Sequence, residues 1–177
     1  MSNNKKVFDD ISKQNDCVYS HVDSKVPGQL GAFVHITKYD LKINHNDCII
    51  EMNYDFGNSN TANFKINLQP YKIIPDFKLT TIDHFMKLIL FKKQNWIIKC
   101  DDSTLNNAIQ KLLHEHKLID WIKKTAFEPE IKGIMIEKKY TIDTFFSLNY
   151  EGKTKSIKTI LEFHKGLIDM LQSKYNR

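Results

Sequence analysis

The sequence predicts an α+β fold in which one antiparallel sheet carries its helices on a single face. Three observations support it: segments of strict apolar/polar alternation, turn chemistry between them, and helical stripes that interrupt and follow the strands. In order, the elements read α-βββ-α-β-α-ββ-α across one layered domain of 177 residues.

Val7, Phe8 and Ile11 fall on one side of a short helix over about residues 4–14. A polar link containing Pro27, Gly28 and Gly31 should then be a loop that delivers the chain to the sheet. The first strand, about Phe33 to Ile43, changes phase: Val34 and Ile36 belong to one register, Tyr39, Leu41 and Ile43 to the other. A bulge near Thr37 would reconcile them. Asn44-His45-Asn46-Asp47 turns the chain into a second strand, where Cys48, Ile50, Met52, Tyr54 and Phe56 alternate with polar residues. After Gly57-Asn58-Ser59-Asn60, a third strand places Ala62, Phe64, Ile66 and Leu68 inward. Alternation of this kind means one buried and one wet face.

Pro70 and Pro75 bracket a crossing segment, and Thr80 or Thr81 should cap a helix with Ile82, Phe85, Met86 and Ile89 inside. Trp96 to Cys100 reads as a short interior strand. Asp102 or Ser103 caps the next helix, with a stripe of Leu105, Ile109, Leu112, His116, Ile119 and Ile122 and a break near His114 to His116. From Pro129 a strand with Ile131, Ile134 and Ile136 as apolar members runs to a tip at Glu137-Lys138-Lys139. The return strand puts Tyr140, Ile142, Thr144, Phe146, Leu148 and Tyr150 on one face and Phe145 on the other. A closing helix buries Ile157, Ile160, Leu161, Leu167, Ile168 and Leu171. Each half pairs strands and then adds a helix, a hint of duplication. The halves do not align residue by residue, so one domain is the simpler expectation.

The run Val26-Pro27-Gly28-Gln29-Leu30-Gly31, the paired strands, and Trp96 to Asp102 entering a Leu-rich helix together resemble a family of uncharacterised bacterial α+β domains. The resemblance implies an initial helix, a Pro-Gly loop into a strand, an Asp-capped helix and an amphipathic closing helix. That family carries no agreed activity, so no functional residue follows from it.

Charge narrows the choice of partners. Residues 1–75 hold eight lysines and eight acids; the net +5 comes entirely from residues 76–177, with 18 basic and 13 acidic residues. Only Arg177 is an arginine, and lysine provides a point charge where guanidinium would grip phosphate or guanine with two bonds. Nucleic-acid binding is therefore expected to be weak and lost with salt. Three widely spaced cysteines make no disulfide framework and point to a reducing compartment. The polar start offers no signal peptide, and the most apolar stretch, Phe85 to Phe91, is far shorter than the roughly 20 residues a spanning helix needs. Cytoplasmic location is the expectation.

Among candidate sites, Cys17-x3-His21 and His45-x2-Cys48 offer zinc two pairs of suitable ligands. Against that stand the inward phase of Cys48, the mixed pair order, and a chain long enough to bury a core unaided. No metal or cofactor is expected. His114, Glu115 and His116 point to different faces of a helix, and His116 and His164 read as core-edge residues. Asp101 with Asp102, and Asp9 with Asp10, read as helix caps. The leading expectation is a non-enzymatic interaction module, of adaptor or immunity type, that binds another protein through Ile49 and Phe145, both out of phase with their strands' buried sets. The alternative is a small enzyme or ligand-binding domain with a pocket between sheet and helices, built from His35, Asp101, Asp102 or His116.

Overall fold

A computed structural model describes residues 3–27, 32–82 and 95–175. Along the chain these form α1 (Asn3–Gln14), β1 (Tyr19–Pro27), β2 (Phe33–His45), β3 (Cys48–Phe56), β4 (Thr61–Leu68), β5 (Phe77–Thr81), β6 (Trp96–Cys100), α2 (Ser103–Glu115), α3 (Leu118–Lys124), β7 (Glu130–Ile136), β8 (Lys139–Ser147) and α4 (Lys153–Tyr175). The strands make one sheet in the order β1-β2-β3-β4-β8-β7-β5-β6, every neighbouring pair antiparallel. The α+β class holds.

Among the described residues, the helices lie over one face of the sheet. Phe8 of α1 stacks on Tyr39 at 4.1 Å and meets Tyr54 edge-on at 5.2 Å. At about 1.5 Å per residue, α4 is roughly 35 Å long, enough to cross several strands. His164, at its centre, stacks on Phe64 of β4 at 4.6 Å, while Asp169 and Gln172 near its end reach His45 and Cys48. On the covered face lie Tyr39, Leu41 and Ile43, then Ile50, Met52 and Tyr54, then Phe64 and Ile66, and Ile142 and Phe146. These are the alternation sets read from the sequence. Turns follow local chemistry as well. Asn46 and Asp47 both take positive φ between β2 and β3, the geometry a two-residue hairpin loop needs. Gly57 leaves β3 at φ +103, where an added Cβ would lie 1.9 Å from the His35 carbonyl oxygen.

Five expectations need correction. Residues 19–27 are not a link but strand β1: Tyr19 and His21 turn to the covered face, and the rest pairs with β2 beyond the helix layer, where polar residues are tolerated. Thr80 and Thr81 are strand residues of β5, opposite Ile97 and Trp96, rather than helix caps. β2 has no bulge near Thr37, because its register with β1 and β3 runs unbroken; Ile36 simply lies on the outer face. β6 is an edge strand, and its apolar run reflects Trp96 tucked against His114 of α2 at 6.4 Å. Asp9 and Asp10 sit inside α1, where Asp9 accepts the Tyr19 hydroxyl at 2.5 Å. Phe85, Met86 and Ile89 of the expected helix, the loop glycines Gly28 and Gly31, and Arg177 lie outside the described residues.

Asp102 does cap α2: its Oδ1 accepts the Leu105 N–H at 2.7 Å, which holds the carboxyl below its ordinary range. The expected break after His114 is present too. Lys117 adopts φ +56 between α2 and α3.

His164 is a titratable group of the core with a structural role. His164 Nδ1 donates to the Ile160 carbonyl at 2.7 Å, so Nε2 must accept the Thr144 hydroxyl, also at 2.7 Å. The pair ties α4 to β8. Burial pushes the imidazole down to about 4. The unfolded chain takes up that proton near pH 6.5 and the folded one does not, so stability is full above pH 6.5 and falls as pH drops toward 4. The expected loss is roughly 3 kcal/mol over that window. Urea melts across it should show the slope in the wild type and a flatter profile in His164→Gln; equal slopes would remove His164 from the account.

Candidate functional site

The sheet's outer face has a regular grain. Following the register from β2 to β6, Lys42, Glu51, Lys65, Asp143, Lys132, Lys78 and Lys99 stand opposite one another in one continuous row. Its signs alternate until the last three lysines. There Glu130 steps in, 2.9 Å from Lys78 and paired with Lys132 as well. Those two ammonium groups hold the Glu130 carboxyl below its ordinary range, Lys132 first. A cleft of about 480 Å³ lies over β5, β6 and β7, lined by Lys78, Lys99 and Lys132. Asp76 and Asp101 also line it, so with Glu130 nearby the local charge is balanced.

Apolar side chains flank this charged row on both sides. On one side Phe145 is 54% exposed, while its neighbour Phe146 is 1% exposed. Phe145 stands between Asn63 of β4 and Glu130 of β7. On the other side lie Ile49, 49% exposed, and Ile134 and Ile136 of β7. Ile49 and Phe145 are thus on the same face but do not touch; the row through Lys65 and Asp143 separates them.

Of the three apolar members read for this strand, Ile131 is buried while Ile134 and Ile136 are exposed. Residues three apart cannot share a strand face. The inward position is Gly133, where an added Cβ would come within 2.3 Å of the Tyr140 hydroxyl and 2.4 Å of the Phe77 ring. Because the inward residue has no side chain, the buried phase of β7 was hidden, yet counting by two from Ile131 would have found it.

The cysteine and histidine quartet has separate attachments. Cys48 accepts from Gln172 Nε2 at 3.3 Å, and His45 Nε2 meets Asp169 Oδ1 at 2.7 Å. His21 packs on Tyr39 with ring centres 4.8 Å apart, and the Cys17 carbonyl accepts the Ser12 hydroxyl. Burial pushes both thiols up, away from the thiolate a zinc ion binds. Among the described residues, no three His, Cys, Asp or Glu side chains gather as a metal site.

The residues of the alternative pocket do not converge either. His35 lies exposed on β2, Asp101 at the 480 Å³ cleft and Asp102 at its cap. His116 lines a separate cleft of about 330 Å³ beside Trp121 and Thr159. Among the described residues, no helix is long and apolar enough to cross a membrane. No family model, curated protein or solved structure matches the chain.

Proposed function

We propose that the chain is a non-enzymatic protein-interaction module of adaptor or immunity type, acting in the cytoplasm, and that it docks another protein on the outer face of its sheet. One observation carries the reading: Phe145 projects from a strand whose next residue is fully packed. An aromatic held by a rigid sheet loses little freedom on binding and has the size of an interface anchor. Ile49, Ile134 and Ile136 add apolar area, and the charged row between them supplies polar contacts that fix orientation. Three cysteines without a disulfide agree with a reducing compartment.

The test is capture from host lysate with wild-type, Phe145→Ser and Ile49→Ser baits at matched thermal stability. A specific protein retained by the wild type and lost by both variants supports the docking face. Equal retention by all three baits, or none by any, counts against it.

A further inference from the structure

We infer that β1 pairs with β1 of a second copy of this chain, antiparallel about a two-fold axis through Ser24. Among the described residues β1 is an edge strand with β2 as its one neighbour, so half of its backbone N–H and C=O groups face outward. Beyond His21 the β1–β2 ribbon extends past the helix layer, and residues 22–27 are exposed. Val22 is 53% and Phe33 71% exposed.

What selects the partner is the order Val22-Asp23-Ser24-Lys25-Val26. Laid antiparallel on itself about Ser24, this segment sets Val22 against the second copy's Val26, and Asp23 against its Lys25, twice over. On the outer face Val34, opposite Val26 within one chain, then joins Val26 and the second copy's Val22 in a single apolar row. On the covered face, Pro27 meets the second copy's His21, which already packs on Tyr39. That continues the aromatic row toward exposed Phe33. Lys25 makes no ion pair within the chain among the described residues. Asp23 accepts the hydroxyl of Thr37, its partner on β2, at 2.5 Å and lies 3.5 Å from His21, so its carboxylate is oriented on the ribbon and is still 52% exposed to an incoming lysine.

Neighbouring registers fail. Centring on Asp23 opposes two aspartates and sets His21 against Lys25; centring on Lys25 opposes two lysines. A shift of one residue would turn each valine to the wrong face. A lysine on an edge strand ordinarily deters pairing; here one register answers it with a carboxylate. Pro27 has no N–H and bounds the ladder at its end. The axis stands perpendicular to the sheet, so both copies keep their helices on one side. The inference stands apart from the docking face, since it uses only the edge and needs no other protein.

A single strand pair lies at the small end of specific interfaces, below about 1,200 Å², so a dissociation constant on the order of micromolar is expected. Sedimentation equilibrium from about 1 µM to about 1 mM reads it directly. Asp23→Lys and Lys25→Asp should each weaken self-association at least about tenfold by opposing like charges. Mixed in equal amounts, the two variants should form a heterodimer, because lysines 23 and 25 of one then face aspartates 25 and 23 of the other. Val26→Asp, which leaves the contacts of Asp23 alone, should also dissociate the dimer. A wild type that stays monomeric throughout overturns the inference. So do single variants that dimerise as tightly as the wild type, or a mixture that stays monomeric.

Discussion

Phe146→Ser is expected to destabilise the protein by about 3–5 kcal/mol, and Phe145→Ser, one residue away, by less than about 1 kcal/mol. Phe146 sits among the rings of Phe127, Phe64 and Tyr54 at 5.2, 6.1 and 6.3 Å. Truncation there leaves a cavity and strands a hydroxyl in it. Phe145 faces solvent, so its loss removes little buried area. For a chain of this length the first change should lower the melting temperature by roughly 10 °C, and the second by no more than a few degrees. Thermal and urea melts of both proteins decide the matter. If both variants melt equally early, a second layer covers the sheet and no open face exists.

Gly133→Ala is expected to be strongly destabilising for the addition of a single methyl group. The new Cβ has the Tyr140 hydroxyl and the Phe77 ring inside van der Waals distance, and both are packed in place. Tyr140 moreover donates to the Pro75 carbonyl at 2.8 Å, a bond that ties the segment before β5 to β8. Overpacking together with loss of that bond is expected to cost about 2–4 kcal/mol. Adding Tyr140→Phe to Gly133→Ala removes one of the two obstacles and should restore part of the loss. Urea denaturation of the single and double variants reads both effects. A neutral Gly133→Ala would mean that β7 does not place this residue over Tyr140, and the β7–β8 register would have to change.

Much of the fold was legible because period-2 segments with one apolar set admit one orientation. β3, β4 and β8 are of this kind, and their buried residues match the reading side chain for side chain. Turns with Asn, Asp and Gly were legible for a similar reason, since few residues accept positive φ. β1 was not legible because most of it lies outside the helix layer, so no face had to be apolar. β5 was missed because only Phe77 and Leu79 carry its inward phase, and Thr80 and Thr81 serve a strand as readily as a helix cap. The exposure of Phe145 and Ile49 followed from phase alone. What could not be read from one strand at a time was the charged row between them. It arises only when seven strands are placed side by side in register, and their order, with β8 and β7 inserted before β5, is a tertiary fact. The same holds for the self-complementary order of Val22 to Val26, which carries no meaning until β1 is known to be an edge.

The docking face is tested most directly by titrating the captured partner, once purified, into the wild type and Phe145→Ser by calorimetry. An anchor at the open face predicts binding at least about 30-fold weaker for Phe145→Ser, the equivalent of roughly 2 kcal/mol, with the melting temperature almost unchanged. Equal affinity for the two proteins would contradict the proposal and move the binding surface elsewhere on the molecule.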